Sequence, residues 1–200
     1  MTMHERNTPF RRIAVIGSSG SGKSTLSVVL GELSGLPVVH LDKEYWLPGW
    51  TEPDRDSWNA RLADLAARPE WIIDGQYGSS LLTRLQRADL AIFLDLPTRV
   101  CLWRVARRII GTYGRVRSDM GAGCPEKLNL EFVQFVATFR RLQRPKIVAA
   151  LGGSRVRAAW LRSRREQAEF AAALREEGLV AAVDAAPAWR QPSGFSSTTM

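Results

Sequence analysis

The residues of this chain most suited to chemistry form one short run near its N-terminus. In order, they are Gly17, Ser18, Ser19, Gly20, Ser21, Gly22, Lys23, Ser24 and Thr25. The run fits the phosphate-binding pattern G-x-x-x-x-G-K-[ST], in which glycines let backbone N–H groups point inward at an anion. Lys23 is then expected to reach the β- and γ-phosphates, while Ser24 holds Mg²⁺. The run therefore predicts a site for ATP and Mg²⁺.

Three aspartates, Asp42, Asp74 and Asp95, close apolar runs that read as strands. Parallel strands end at one edge of a sheet, where ligands bind. Asp74 is predicted to orient Mg²⁺, because Gly75 after it lets a ligand approach the backbone closely. Asp95 fits either that role or the cap of the next helix. Asp42 is predicted to bind an acceptor hydroxyl, or else to be a turn aspartate, and His40 is predicted to be structural.

The elements that must position these residues follow from alternating apolar and helical patterns. Apolar runs predict strands at residues 12–17, 37–42, 70–74, 90–96 and about 155–161. Helical patterns lie at about 23–34, 54–67, 79–87, 98–110, 129–142, 144–151 and 163–176. This alternation predicts an α/β fold, a parallel sheet with helices on both faces. A single domain over residues 11–183 is therefore expected.

Two loops of this predicted domain have unusual compositions. Residues 43–53 carry the aromatic side chains Tyr45, Trp46 and Trp50. These rings either stack on a bound ring or pack the loop onto the domain. Residues 111–125 contain four glycines and lie in an arginine-rich part of the chain. A loop of that length in a compact domain is typically mobile and functional.

Composition excludes some classes of protein and leaves one question open. The chain is 45% hydrophobic and 24% charged, no apolar run approaches ~20 residues, and only two cysteines occur. A cytoplasmic, non-membrane protein is expected, with a flexible N-terminus (residues 1–10) and a disordered tail (residues 184–200). Residues 99–165 carry 16 basic side chains against three acidic ones. This excess fits either an arginine-lined phosphate site or nucleic-acid binding.

The glycine-rich run, the pair Asp74-Gly75 and the strand Ile-Phe-Leu-Asp-Leu-Pro resemble the adenylate-kinase type of nucleoside-monophosphate kinase. The resemblance implies a three-layer P-loop NTPase fold with strand order 2-3-1-4-5 and a small arginine-rich lid at about residues 111–127. It also implies that Arg104 and Arg108, seven and eleven residues after Pro97, line the phosphate-transfer site. The lid arginine would be Arg115 or Arg117.

A further resemblance is carried by HLDKEYWLPGW, WIIDGQY, DMGAGCPE and LRSRRE, and covers residues 11–175. These motifs look like those of bacterial DNA topology modulation (FlaR-like) proteins, which are related to adenylate kinases. The resemblance implies that Arg162 or Ser163 contacts the adenine base. The chain departs from true adenylate kinases after Gly75, where Gln76-Tyr77 replaces their monophosphate-gripping segment. The acceptor is therefore not expected to be AMP.

The leading hypothesis is a small-molecule or nucleoside/nucleotide kinase that transfers the γ-phosphoryl group of ATP to an unidentified acceptor, acting as a monomer or homodimer. Lys23, Asp42, Arg104 and Arg108 are its predicted catalytic residues. The second hypothesis is an ATP-responsive nucleic-acid-binding or DNA-topology factor, although no helix-turn-helix, zinc-finger or RNA-binding signature is visible. A GTPase is disfavoured because the pattern N-K-x-D is absent.

Overall fold

A computed structural model describes residues 8–187, which contain a five-stranded sheet with all neighbouring strands parallel. The strands are β1 (Arg12–Gly17), β2 (Val38–His40), β3 (Trp71–Asp74), β4 (Leu90–Leu94) and β5 (Arg157–Leu161). Their order in the sheet is β2-β3-β1-β4-β5. The predicted P-loop NTPase topology is therefore confirmed, and the chain has that fold.

Helices cover both faces of the sheet. They are α1 (Lys23–Ser34), α2 (Leu41–Tyr45), α3 (Arg55–Ala67), α4 (Leu81–Arg87), α5 (Thr98–Thr112), α6 (Leu130–Leu142), α7 (Arg144–Gly152), α8 (Arg164–Glu176) and α9 (Leu179–Ala185), with a 3₁₀ turn at Gly78–Ser80. On one face, Trp58 and Leu65 pack with Ile147 over the sheet. On the other, Leu30 packs with Phe170. The central strands are apolar between their ends because both faces are covered.

The register of the strands places the expected functional residues at one edge of the sheet. Val15 of β1 pairs with Asp74 of β3, which in turn pairs with His40 of β2. Gly17 pairs with Leu94 of β4. The glycine-rich run, Asp74 and His40 therefore leave the sheet side by side.

Some element boundaries differ from the sequence-based prediction. The strand predicted at residues 37–42 ends at His40, because α2 begins immediately with Leu41. Residues 184 and 185, which the prediction places in the disordered tail at 184–200, are helical instead, because they belong to α9, whose Leu179 and Val183 are buried in the core. The predictions for residues 1–7 and 188–200 lie outside the described residues. Between residues 8 and 187, no helix has the length and apolarity needed to cross a membrane.

Candidate functional site

The glycine-rich run connects β1 to α1 and is held tightly by its neighbours. Gly17, Gly20 and Gly22 all have positive φ angles. A Cβ atom on Gly20 would lie 2.5 Å from the Cys101 carbonyl oxygen, and one on Gly17 would lie 2.6 Å from that of Leu94. Glycine is therefore required by both conformation and space, and the loop is preformed around its anion site.

Basic and amide side chains fix the inner surface of this loop. Lys23 Nζ donates to the Ser18 carbonyl oxygen at 3.0 Å, and burial lowers the pKa of Lys23. Arg104 Nη1 donates to the carbonyl oxygen of Ser21 at 3.1 Å. Gln167 Nε2 on α8 donates to the same oxygen at 2.8 Å. Sequence reasoning missed Gln167, because the contact joins residues 146 positions apart.

A first cavity of about 420 Å³ opens above the loop. It is lined by the loop, by Arg104 and Arg108 on α5, and at its far end by Ala171 and Arg175 on α8. The predicted base contacts lie beside it: Ser163 caps α8 by accepting from the Glu166 N–H, and Arg162 lies over the Trp160 ring. Among the described residues, α8 contributes Ala171 and Arg175 to the lining of the first cavity, whereas Arg162 and Ser163 do not line it. The roles of Arg162 and Ser163 as base contacts stay predictions.

Asp74 is almost fully buried at the edge of the sheet, and its Oδ2 lies 2.7 Å from His40 Nδ1. The hydrogen bond to Asp74 raises the pKa of His40. His40 is thus the direct partner of the predicted metal-orienting carboxylate. Asp95, by contrast, accepts from Arg144 Nε at 2.8 Å and from Trp160 Nε1 at 3.1 Å. It neither caps α5 nor lines either cavity described here, and it anchors α7 to β5.

Asp42 lies at the start of α2, below the glycine-rich loop. Its Oδ1 accepts a hydrogen bond from the Tyr77 hydroxyl at 2.9 Å. Burial raises the pKa of Asp42, although Lys23 and the Tyr77 hydroxyl act against this shift. The pKa of Tyr77 is raised by burial and by the Asp42 charge. Asp42 is therefore a carboxylate of increased basicity, held in one orientation by a tyrosine that sequence reasoning did not assign to the site.

The lid predicted at about residues 111–127 corresponds to the connection between α5 and α6, residues 113–129. Its arginine in the site is Arg117, which lines the first cavity, whereas Arg115 is exposed. Arg117 Nε lies 3.5 Å from Glu126 Oε2, and Arg108 Nε lies 3.2 Å from the same oxygen. Glu126 is only 6% exposed. One buried carboxylate therefore holds both arginines, a role that the sequence did not indicate.

A second cavity of about 410 Å³ lies below the first, between the lid, α6 and the segment after α2. Both cavities are lined by Ser19, Lys23, Asp42, Arg108 and Arg117. The two cavities therefore meet at the four charged side chains of that set. A group held in the second cavity would face a phosphate held in the first.

Residues 46–52, here called the aromatic loop, are attached to the lid. Trp50 Nε1 donates to the Pro125 carbonyl oxygen at 3.0 Å, and Gly49 N–H donates to that of Gly123 at the same distance. Trp50 has a φ of +64°, which is unusual for a bulky residue and marks local strain. The two segments together form the cover of the second cavity. The rings of Tyr45, Trp46 and Trp50 were predicted either to stack on a bound ring or to pack the loop onto the domain, and the structure shows packing.

Oxygen donors suited to Mg²⁺ converge where the predicted site lies. Asp42, Ser24 and Asp119 line the first cavity, and Asp74 lies on the neighbouring strand. Burial acts to raise the pKa of Asp119, but Arg117 and the Ser24 hydroxyl more than offset it, so that this pKa is lowered. No cluster of three or more ligating side chains occurs among residues 8–187. This donor set fits Mg²⁺ completed by substrate phosphates and water.

No protein-family model matches the sequence. The chain is 32% identical over 111 residues to the uncharacterized protein YqaC of Bacillus subtilis (strain 168). That match covers 52% of this chain and 60% of the relative, so the chain spans less than two thirds of its relative's length. The FlaR-like resemblance is not confirmed by this match and stays a prediction.

Solved structures with a similar arrangement include several kinases. Shikimate kinase from Acinetobacter baumannii is 16% identical with a TM-score of 0.49, over 76% of this chain and 83% of that one. A gluconokinase from Sinorhizobium meliloti 1021 is 20% identical with a TM-score of 0.47, over 88% and 93% of the two chains. At this level of similarity, neither structure identifies a substrate for this chain.

Proposed function

We propose that this protein is an ATP-dependent kinase that transfers the γ-phosphoryl group to a hydroxyl of a small molecule bound in the second cavity. The observation that carries the proposal is the meeting of the two cavities at Lys23, Asp42, Arg108 and Arg117. A donor phosphate and an acceptor hydroxyl bound on either side would be brought into contact there. Such positioning, together with charge stabilisation, supplies most of the catalysis in phosphoryl transfer.

On the donor side, the amides of the glycine-rich loop bind the phosphate oxygens and Lys23 faces the transferring group. Arg104 is fixed on the loop carbonyls, while Arg108 and Arg117 approach from α5 and the lid. Their charges would stabilise the negative charge that spreads over the γ-phosphoryl oxygens in the transition state. Mg²⁺, held by Ser24 and oriented by Asp74 together with phosphate oxygens, would neutralise part of the same charge.

On the acceptor side, Asp42 is the proposed general base. The acceptor oxygen forms a bond to the γ-phosphorus as the bond from phosphorus to the β,γ-bridging oxygen breaks, and ADP leaves. The hydroxyl proton passes to Asp42, whose raised pKa increases its affinity for a proton. The Tyr77 hydroxyl keeps the carboxylate oriented during this step.

The proposal is tested by incubating the protein with [γ-³²P]ATP, Mg²⁺ and a panel of small alcohols, then separating labelled products from inorganic phosphate. Lys23→Ala should lower product formation by roughly 10²–10³-fold without loss of the fold, because it removes the positive charge that stabilises the transferring phosphoryl group. Lys146→Ala, an exposed lysine on α7, is the matched control and should leave the rate unchanged. Label released only as inorganic phosphate, whatever alcohol is present, would contradict the proposal.

A further inference from the structure

One wall of the second cavity is apolar. Trp46, Trp50, Phe132 and Phe135 contribute rings to the lining, and Met120 closes one side. The two indole rings meet edge to face, with centroids 5.4 Å apart. Aromatic faces of this kind bind flat rings and apolar surfaces rather than anions.

The cations near this wall already have partners. Arg108 and Arg117 lie against Glu126 at the boundary with the first cavity. The fully buried Arg84 donates to the backbone carbonyls of Gly75 and Tyr77. Lys127 lies over the Trp50 ring, with its Nζ 5.5 Å from the ring centroid. An anionic ligand would therefore have to compete for each of these cations.

Two further acidic side chains of the lining act against an anionic ligand. Glu52 and Glu131 line the second cavity and are exposed at its rim. A carboxylate or phosphate on the body of an acceptor would be repelled by these two side chains. Together with Asp42 and Glu126 they balance the four cations of the lining, Lys23, Arg108, Arg117 and Lys127, so the cavity has no net positive charge that would attract an anionic acceptor.

Gln76 provides the hydrogen-bonding group on this wall. It lines the second cavity, and its buried Oε1 has no hydrogen-bond partner among the described residues. A buried amide oxygen without a partner is costly, and a donor on a ligand would remove that cost. The feature indicates a polar N–H or O–H on the ring that enters the cavity.

We infer that the acceptor is an uncharged alcohol joined to a flat, polar ring, as in a nucleoside or a hydroxymethyl-substituted heterocycle. The ring lies among the aromatic side chains with its donor on Gln76, and the hydroxyl reaches Asp42. This inference rests on the proposed kinase function for the identity of the reacting group. It excludes carboxylate-bearing and phosphorylated acceptors as the preferred substrates.

Isothermal titration calorimetry in the presence of Mg²⁺ and a non-hydrolysable ATP analogue tests the inference. The probes are thymidine, deoxyadenosine and pyridoxine, set against thymidine monophosphate, deoxyadenosine monophosphate and shikimate. At least one uncharged probe should bind, and each of the three anionic probes should bind at least tenfold more weakly than that probe. Equal or tighter binding of the anions, or no binding of any uncharged probe, would overturn the inference.

Phosphoryl transfer measured on the same probes separates this inference from the function on which it rests. Transfer to an anionic probe alone leaves the kinase proposal standing and overturns the inference about the acceptor. Binding of an uncharged probe with no transfer to it supports the acceptor class and contradicts the kinase proposal.

A matched pair of variants tests the role of Gln76. Gln76→Leu should weaken binding of the uncharged probe about tenfold and leave the affinity for the ATP analogue unchanged. Its melting temperature should equal or exceed that of the wild type, because the unpartnered oxygen is removed. Gln86→Leu, on the exposed side of α4, should change neither affinity. Unchanged probe binding in Gln76→Leu would show that the amide does not contact the ligand.

Discussion

The two cavities that meet at Lys23 are built in different ways. The first is built on one contiguous run, which is fixed between β1 and α1 and packed against Leu94 and Cys101, and side chains of α5, α8 and the lid complete its lining. The second is formed by side chains from the aromatic loop, the lid and α6, which are far apart in sequence. The first cavity is suited to phosphates, which all nucleotides share. In the second cavity, substitution of lining side chains would change which small molecule binds.

The two cavities also differ in what holds them in shape. The phosphate side relies on the central sheet, in which Gly17 pairs with Leu94. The second cavity relies on the junction between the lid and the aromatic loop. This junction includes the strained Trp50 and its hydrogen bond to the Pro125 carbonyl oxygen. Changes in the junction should therefore affect acceptor binding before they affect ATP binding.

The largest effect that would sharpen this comparison is expected at Asp42. Asp42→Asn should lower kcat by roughly 10²–10⁴-fold, because the hydroxyl proton loses its acceptor, while ATP affinity changes little. In the wild type, burial raises the pKa of Asp42, so activity should fall with decreasing pH at a value above the ordinary 3.8 of an aspartate. Steady-state rates across pH provide the measurement. Asp64→Asn, which changes an exposed residue of α3, is the control. An undiminished rate in Asp42→Asn would argue against Asp42 as the general base.

A second prediction concerns the carboxylate shared by two arginines. Glu126→Gln should lower the free energy of unfolding by about 3 kcal/mol, because Arg108 loses its buried counter-charge and Arg117 keeps only its ion pair with Asp119. Bound ATP restores negative charge beside them, so the rise in melting temperature caused by MgATP should be larger in the variant than in the wild type.

Thermal unfolding with and without MgATP measures both quantities for Glu126→Gln. Glu131→Gln removes an exposed carboxylate of α6 and should leave both nearly unchanged. Equal stabilisation of wild type and Glu126→Gln by MgATP would mean that ATP does not approach the two arginines.

A smaller effect is expected at the junction. Trp50→Phe keeps an aromatic ring but removes the N–H that donates to Pro125, a loss of about 1 kcal/mol. The KM for the acceptor should rise roughly fivefold while that for ATP stays constant, since the phosphate side does not contain the junction. Trp103→Phe, on the exposed surface of α5, serves as the matched control. Equal increases in both KM values would contradict the separation of the two cavities.

The smallest effect is a pH dependence of stability at the edge of the sheet. The pKa of His40 is raised by Asp74, so this pair stabilises the fold fully below about pH 6.5, and the contribution is lost as pH rises through the raised pKa. The stability difference between wild type and His40→Gln should therefore shrink from pH 5.5 to 9. Urea unfolding at each pH gives this difference, and a constant value would rule out the proposed linkage.

The sequence was sufficient for the features that depend on neighbouring residues. The glycine-rich run and the alternation of strands and helices are local patterns, and both were predicted. The resemblance to adenylate kinases supplied the strand order and the pair Arg104 and Arg108, which the structure places on the wall of the first cavity.

Residues whose roles depend on distant partners could not be assigned from the sequence. His40 meets Asp74 only because β2 and β3 pair in one register. Asp95 was expected near the metal or at a helix cap, but Arg144, 49 residues away, binds it. Glu126 and Gln76 carry no local signature, since their environment is created by the packing of the lid and α6. Only the folded chain brings such groups together.

The most direct test of the meeting of the two cavities is the initial-velocity pattern obtained when ATP and an acceptor alcohol, one to which the enzyme transfers the phosphoryl group, are varied together. Direct transfer between the two cavities requires both substrates to be bound at once. Double-reciprocal plots should therefore intersect, and labelled ADP should not exchange into ATP when the alcohol is absent. Parallel plots accompanied by that exchange would reveal a phosphorylated enzyme intermediate and contradict direct transfer between the cavities.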